Sequence, residues 1–172
     1  MDWIQTYTGK QFRPLAPRRE DIDIRDIAHA LSLNCRFNGH CRTFYSVGEH
    51  AVRVARALPR KWALWGLLHD AGEAYLTDLP RPVKTQMPQF TVVEERLLEV
   101  LAGHFGLCWP APAAVWRADD RLLATEARDL LRVSARRWGI TVRPLAEQIV
   151  PWSWREAEKR FLAEYEELRS KR

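Results

Sequence analysis

The sequence lacks most of the features that mark secreted, membrane-spanning or nucleic-acid-coating proteins. Its 172 residues hold three cysteines, Cys35, Cys41 and Cys108. The number is odd and no C-x-x-C occurs. Neither a disulfide framework nor a zinc-thiolate site is expected, and reduced thiols in a cytoplasmic protein fit better. No opening apolar stretch resembles a signal peptide, because Asp2, Gln5 and Lys10 interrupt it. No run reaches the roughly 18 uncharged apolar residues that a membrane span needs. Basic residues outnumber acidic ones, giving a net charge of +5. The basic pairs Arg18-Arg19, Arg136-Arg137 and Lys171-Arg172 are nevertheless short and scattered. A basic balance favours anionic partners without choosing among them, and the missing basic-aromatic repeat argues against a dedicated nucleic-acid surface. There is no internal repeat and no low-complexity linker.

What is present suits one globular domain over residues 1–172. The hydrophobic share is 47% and the tryptophans number eight, which points to a core rich in large rings. Residues 1–15 read as a small N-terminal hairpin around Thr8-Gly9. Residues 22–170 read as helices, so the expected fold is an all-α bundle with a minor hairpin. Ile24, Ile27, Ala28 and Leu31 share one face of a first helix. Ser46 with Glu49, Thr91 with Glu94, and Ser153 with Glu156 each match a capping box at a helix start. A helix from Trp62 to about Tyr75 is apolar nearly all round in its first half, which implies a buried central element. Trp116 to Val133 forms another, and Ala157, Phe161, Tyr165 and Leu168 mark the face of the last.

The chemistry concentrates in the most apolar of these helices. His69 and Asp70 sit in its middle, where an ionised carboxylate is costly unless paired or bound to a cation. A lone His-Asp pair would simply be the start of a polar face. Glu73, four residues after His69, shares its side of the helix. His50 and Asp119 are further ligand candidates beside apolar stripes on two other helices. Two imidazoles and two carboxylates suit a borderline divalent cation with positions left open for water and substrate.

The ordered series His50, His69-Asp70, Asp119 resembles the motif of the HD-domain phosphohydrolase superfamily. The stretches 27–32, 35–40, 44–50, 69–75, 78–84, 118–119 and 123–130 are similar to a branch of bacterial and prophage 5′-deoxynucleotidase-like proteins. The resemblance implies a single HD-type domain. It implies His50, His69, Asp70 and Asp119 as ligands of one divalent metal ion: cobalt, manganese, zinc, magnesium or iron. Asp119 is preferred to Asp120 because Ala-Asp at that point matches the family. Glu73 and Asp78 lie beside the metal in that family and assist the attack. Asp78 would position the nucleophile or protonate the leaving oxygen. Arg36 matches an arginine that holds phosphate, and Phe37 an aromatic residue set against the nucleoside. His40, Pro80 and Lys84 are placed on the substrate side, with a loop-stabilising role equally open for His40.

The implied activity is hydrolysis of 2′-deoxynucleotides, foremost deoxynucleoside monophosphates to nucleoside and phosphate. Release of triphosphate from deoxynucleoside triphosphates is the alternative, and a non-catalytic nucleotide-binding module is the rival of another class. Relatives form dimers or larger rings, so a homo-oligomer is expected. His29 and His104 read as structural histidines, Glu126 and Asp129 as solvated or ion-paired helix residues, and the tryptophans at 62, 65, 116, 152 and 154 as core.

Overall fold

Alternating apolar spacing and well-capped starts set the elements of the computed structural model, which describes residues 1–132 and 135–170. Strands β1 (Ile4–Gln5) and β2 (Gln11–Phe12) pair antiparallel, with Ile4 opposite Phe12. Eight α-helices follow among the described residues: α1 (Ile24–Leu33), α2 (Val47–Arg56), α3 (Arg60–Leu68), α4 (Glu73–Leu76), α5 (Arg81–Lys84), α6 (Pro88–His104), α7 (Ala113–Leu130) and α8 (Trp154–Ser170). The expected all-α bundle with a small hairpin is what the structure has. The helix expected from Trp116 to Val133 starts earlier and ends earlier, at Ala113 and Leu130, because Leu131 is already extended; Val133 itself lies outside the described residues, as does Lys171-Arg172.

Helix α2 packs against α1, α3, α7 and α8, so it sits at the centre together with α3. Its Val47, Ala51, Val52 and Ala55 join Trp65, Leu67, Leu68, Leu97, Leu101 and Phe161 in the main core. A second cluster, Tyr45, Val54, Ala118, Leu122, Leu130 and Ile149, seals α2 to α7. The hairpin is tied down at both faces. Phe12 is fully buried and stacks on Tyr75 at 3.8 Å between ring centroids, and Asp26 accepts bonds from the Thr8 amide and hydroxyl.

Two of the three capping boxes form as expected. The Ser46 hydroxyl accepts from the Glu49 amide at 3.0 Å, and Ser153 from Glu156 at 3.2 Å. The third does not. Pro88 takes the first turn of α6, where its missing N–H costs nothing, so Thr91 lies inside the helix. Glu94 instead binds the Lys84 ammonium at 2.6 and 2.9 Å. The long helix expected through Tyr75 is also broken. Beyond Leu68 the amides of Ala71 and Glu73 bond to the carbonyls of Leu68 and Asp70, three residues back, before α4 begins. Tightened turns of this kind often mark functional sites. Trp65 is core as expected, but Trp116 is 44% exposed, because α7 turns its ring outward beside His69.

Candidate metal centre

Three segments carry the four candidate ligands to one point. His50 lies one turn into α2, fully buried because the apolar stripe of that helix faces the core. His69 caps the end of α3. Gly66 lets α3 lie close on α2: a Cβ there would stand 2.9 Å from Ala55 Cα and 2.6 Å from Leu58 Cδ1. That approach brings His69 Nε2 within 3.3 Å of His50 Nε2. Asp119, in the middle of α7, sets Oδ1 at 3.2 Å from His50 Nε2 and 3.9 Å from His69 Nε2. Asp70, in the tightened turn, holds its carboxylate at 3.3 Å from His69 Nε2 and 3.5 Å from His50 Nε2.

The His50, His69 and Asp119 ligand atoms all lie within 4.8 Å of one another, and together they could hold a metal ion. The spacing suits that use. Ligand atoms bonded at about 2.1 Å and separated by about 90–110° stand roughly 3.0–3.4 Å apart.

The tautomers also suit it. His69 Nδ1 donates to the Gly66 carbonyl at 2.8 Å, and His50 Nδ1 faces Glu126 Oε1 at 2.6 Å. With both Nδ1 atoms turned to outer acceptors, both Nε2 atoms point inward at each other and at two carboxylates. Such a cluster accommodates a positive charge at its middle, a proton or a cation, and a partner on the far nitrogen is how ligating histidines are held. The titration of His50 reflects the same surroundings. Burial and the Arg36 charge lower its pKa, but Glu126 and Asp119 outweigh both and raise it to about 9. Asp119 is shifted the opposite way. Burial disfavours its charge, yet the hydrogen bond and charge of His50 keep it below the ordinary carboxylate range.

Glu126 is ion-paired, as one of its two expectations has it, to Arg36 at 3.2 Å. Sequence reading missed its place at the centre: it is wholly buried and bonded to His50 at 2.6 Å. Burial works against its ionisation, but Arg36 and His50 keep its pKa below the usual value. The available signal was its spacing. Seven residues after Asp119 is two helical turns, the same face of α7. Asp129 is ion-paired, as one of the two expectations had it, to Arg128 at 2.6 Å.

Arg36 enters from the loop after α1, pinned by its amide to the Tyr45 carbonyl at 2.9 Å. Burial disfavours its charge, but Glu126, Asp70, Asp119 and Glu73 outweigh this and hold its pKa well above normal. Its Nε is buried and meets no hydrogen-bond partner among the described residues. The next two residues, Phe37 (φ 54°) and Asn38 (φ 50°), take the left-handed conformation that costs a side chain energy. Phe37 faces Trp138 at 6.2 Å, and together with His40 and Cys41 they line a cavity of about 490 Å³.

Glu73 lies behind Asp70. Burial first, and then the charges of Asp70 and Asp78, push its carboxyl well above the usual value. Its Oε2 is enclosed and unpartnered among the described residues. Pro80 accepts from the amides of Val83 and Lys84 and so starts α5. Lys84, bonded to Glu94, is near enough for its charge to act on Glu73. Asp70 and Asp120 are both outside the group of three whose ligand atoms lie mutually within 4.8 Å, although Asp70 stands at 3.3 Å from His69 Nε2. Among the described residues all three cysteines are free, and no helix is long and apolar enough to cross a membrane.

Comparison with known proteins gives two relatives. No protein-family model matches the chain. The YfdR protein of Escherichia coli K12 is 42% identical over 130 residues, covering 76% of this chain and 73% of that one. A protein of Rhodobacter capsulatus is 34% identical over 169 residues, covering 92% of this chain and 79% of its own. Each is described only as an uncharacterized protein. At these identities and coverages the chain belongs to the family of the Escherichia coli YfdR protein and its Rhodobacter relative.

Proposed function

We infer that this is a metal-dependent phosphohydrolase of the HD type, acting on 2′-deoxynucleotides in the cytoplasm, with deoxynucleoside 5′-monophosphates as the first substrate class. The observation that carries the reading is the inward pairing of two imidazole Nε2 atoms 3.3 Å apart, with Asp119 at 3.2 Å and Asp70 at 3.5 Å. His50, His69, Asp70 and Asp119 would hold one divalent cation. That cation supplies Lewis acidity, polarising a phosphoryl oxygen and making water a stronger acid.

The remaining roles belong to the chain itself. Arg36 stays cationic and keeps an unpartnered Nε, a donor chemistry that suits phosphate. Glu73 binds a proton more tightly than an ordinary carboxyl, which suits a group that takes and returns a proton at Oε2. Asp78 is close enough for its charge to raise that affinity. Glu126 orients His50 and Arg36 and touches no substrate.

The test is one panel of deoxy- and ribonucleotide mono- and triphosphates with cobalt, manganese, zinc, magnesium or iron added. Phosphate, pyrophosphate and triphosphate products are resolved. Phosphate from deoxynucleoside monophosphates is the expected product. Triphosphate as the product would move the activity to deoxynucleoside triphosphates. Tight nucleotide binding without turnover under every metal would make the chain a binding module.

A further inference from the structure

Two cavities beside α7 are lined by arginines, and they differ in how those charges are met. In the first, of about 440 Å³, each guanidinium has a carboxylate: Arg53 meets Glu49 at 2.9 Å, Arg56 meets Glu164 at 2.8 Å and Arg160 meets Glu156 at 2.6 Å. The second, of about 680 Å³, is lined by Arg42, Arg128, Arg132, Arg136 and Arg143 and by no acidic side chain. Arg128 is committed to the wall. It is bidentate to Asp129 and donates to the carbonyls of Leu145 and Glu147 at 2.8 Å. Arg42, Arg132 and Arg143 are exposed and make no side-chain hydrogen bond or ion pair with any described residue.

Three separate segments assemble this group. Arg42 belongs to the loop after Phe37, fixed by its amide to the Leu130 carbonyl at 3.0 Å. Arg132 follows the end of α7, and Arg143 lies on the returning chain. Gathering like charges without a counter-charge is unfavourable, and an anion in their midst removes the repulsion. Guanidinium forks match phosphate oxygens through paired hydrogen bonds. The volume falls within the roughly 300–1,000 Å³ of small-ligand pockets. A single phosphate carries too little charge to compensate three guanidiniums, whereas a chain of phosphates carries several negative charges.

We propose that this cavity is a metal-independent binding site for a polyphosphate chain, either free or as the tail of a nucleotide. It shares no residue with the candidate metal ligands, and it adjoins the Phe37 and His40 cavity, with Arg42, Leu131 and Arg132 lining both. Helix α7 turns Ala124, Ala127 and Arg128 to the cavity, while Asp119 and Glu126 face His50. Hydrolysis at the metal centre is not needed for this binding.

The test is calorimetry of inorganic tripolyphosphate with the whole protein in metal-free, low-salt buffer, followed by a deoxynucleoside triphosphate. One site per chain is expected. The Arg132→Ala/Arg143→Ala pair should weaken it at least tenfold, and His69→Ala should leave it unchanged. Tighter binding of the inorganic chain identifies free polyphosphate as the ligand, and tighter binding of the nucleotide identifies a tail. Arg42→Gln, on a different loop, should weaken binding at least threefold, so misfolding of the first pair does not shelter the proposal. Four results overturn it: no binding by the wild type, smaller losses in either variant, loss in His69→Ala, or a ten-nucleotide single strand bound more tightly than tripolyphosphate.

Discussion

Glu126→Gln isolates what the buried carboxylate contributes to the metal centre. Gln keeps the shape, and its carbonyl can still accept from His50 Nδ1, now 2.6 Å from Glu126 Oε1. Only the negative charge is lost. Partners on the far nitrogen of ligating histidines are worth about 10–100-fold in metal affinity, or about 1.4–2.7 kcal/mol. Glu126 belongs in that range, because both it and His50 are fully buried and no water screens the pair. Glu126→Ala is a harsher change. It also strips the carboxylate 3.2 Å from Arg36, whose side chain is 11% exposed, and breaking a buried pair costs about 3–5 kcal/mol of stability. Cobalt titration of the metal-free protein, read by absorbance and calorimetry, gives the affinity, and thermal melts give the stability. Glu126→Gln should fold and bind cobalt about 10–100-fold more weakly, while Asp120→Asn should stay within about twofold of wild type. Unchanged cobalt affinity in Glu126→Gln would refute the claim that this carboxylate tunes the ligand.

Asp70→Ala should abolish metal binding and turnover while leaving the far-UV circular dichroism helical; full activity in that variant would discard the metal reading. Gly66→Ala should destabilise the fold by about 1–3 kcal/mol in urea melts, since the added methyl meets Ala55 Cα at 2.9 Å, and it should weaken cobalt binding by moving α3 off α2. Phe12→Ala should cost about 3–5 kcal/mol, as the ring is fully buried against Tyr75. Asp23, the N-cap of α1, has its carboxyl lowered from 3.8 to about 2, first by the Arg25 side-chain hydrogen bond. A depressed folded pKa stabilises above the unfolded value and loses that stabilisation as pH falls through the folded one. The melting-temperature gap between wild type and Asp23→Asn should therefore close between about pH 4 and 2, and a gap constant over that window would contradict it. The contribution is at most roughly 2 kcal/mol, reduced by solvent around the exposed Arg25.

The convergence of His50, His69 and Asp119 was legible because each stands at an apolar stripe whose period fixes which way it faces. Val47, Ala51 and Val54 determine that His50 is inside, and the run before His69 does the same. Capping was legible only where no competing signal stood nearby. Ser46 caps α2, but Thr91 loses to Pro88, whose ring is already suited to the first turn. The break after Leu68 was hidden because residues 69–76 keep a helix-forming composition, and what ends α3 is tertiary: the turn that carries Asp70 to the second imidazole. Glu126 was hidden because an acidic side chain in a helix is ordinarily solvated, and its counter-charges, Arg36 and His50, are 90 and 76 residues away. The arginine-lined cavity was invisible for the same reason, since its charges come from loops that meet only in three dimensions.

Helix α7 acts as a ruler. Asp119 touches one nitrogen of His50 and Glu126 the other, so seven residues of helix span a single imidazole. Losing or adding one residue between them would rotate the rest by about 100° and carry one carboxylate away from the ring. Side chains at the outward positions of that stretch are free to vary; its length is not.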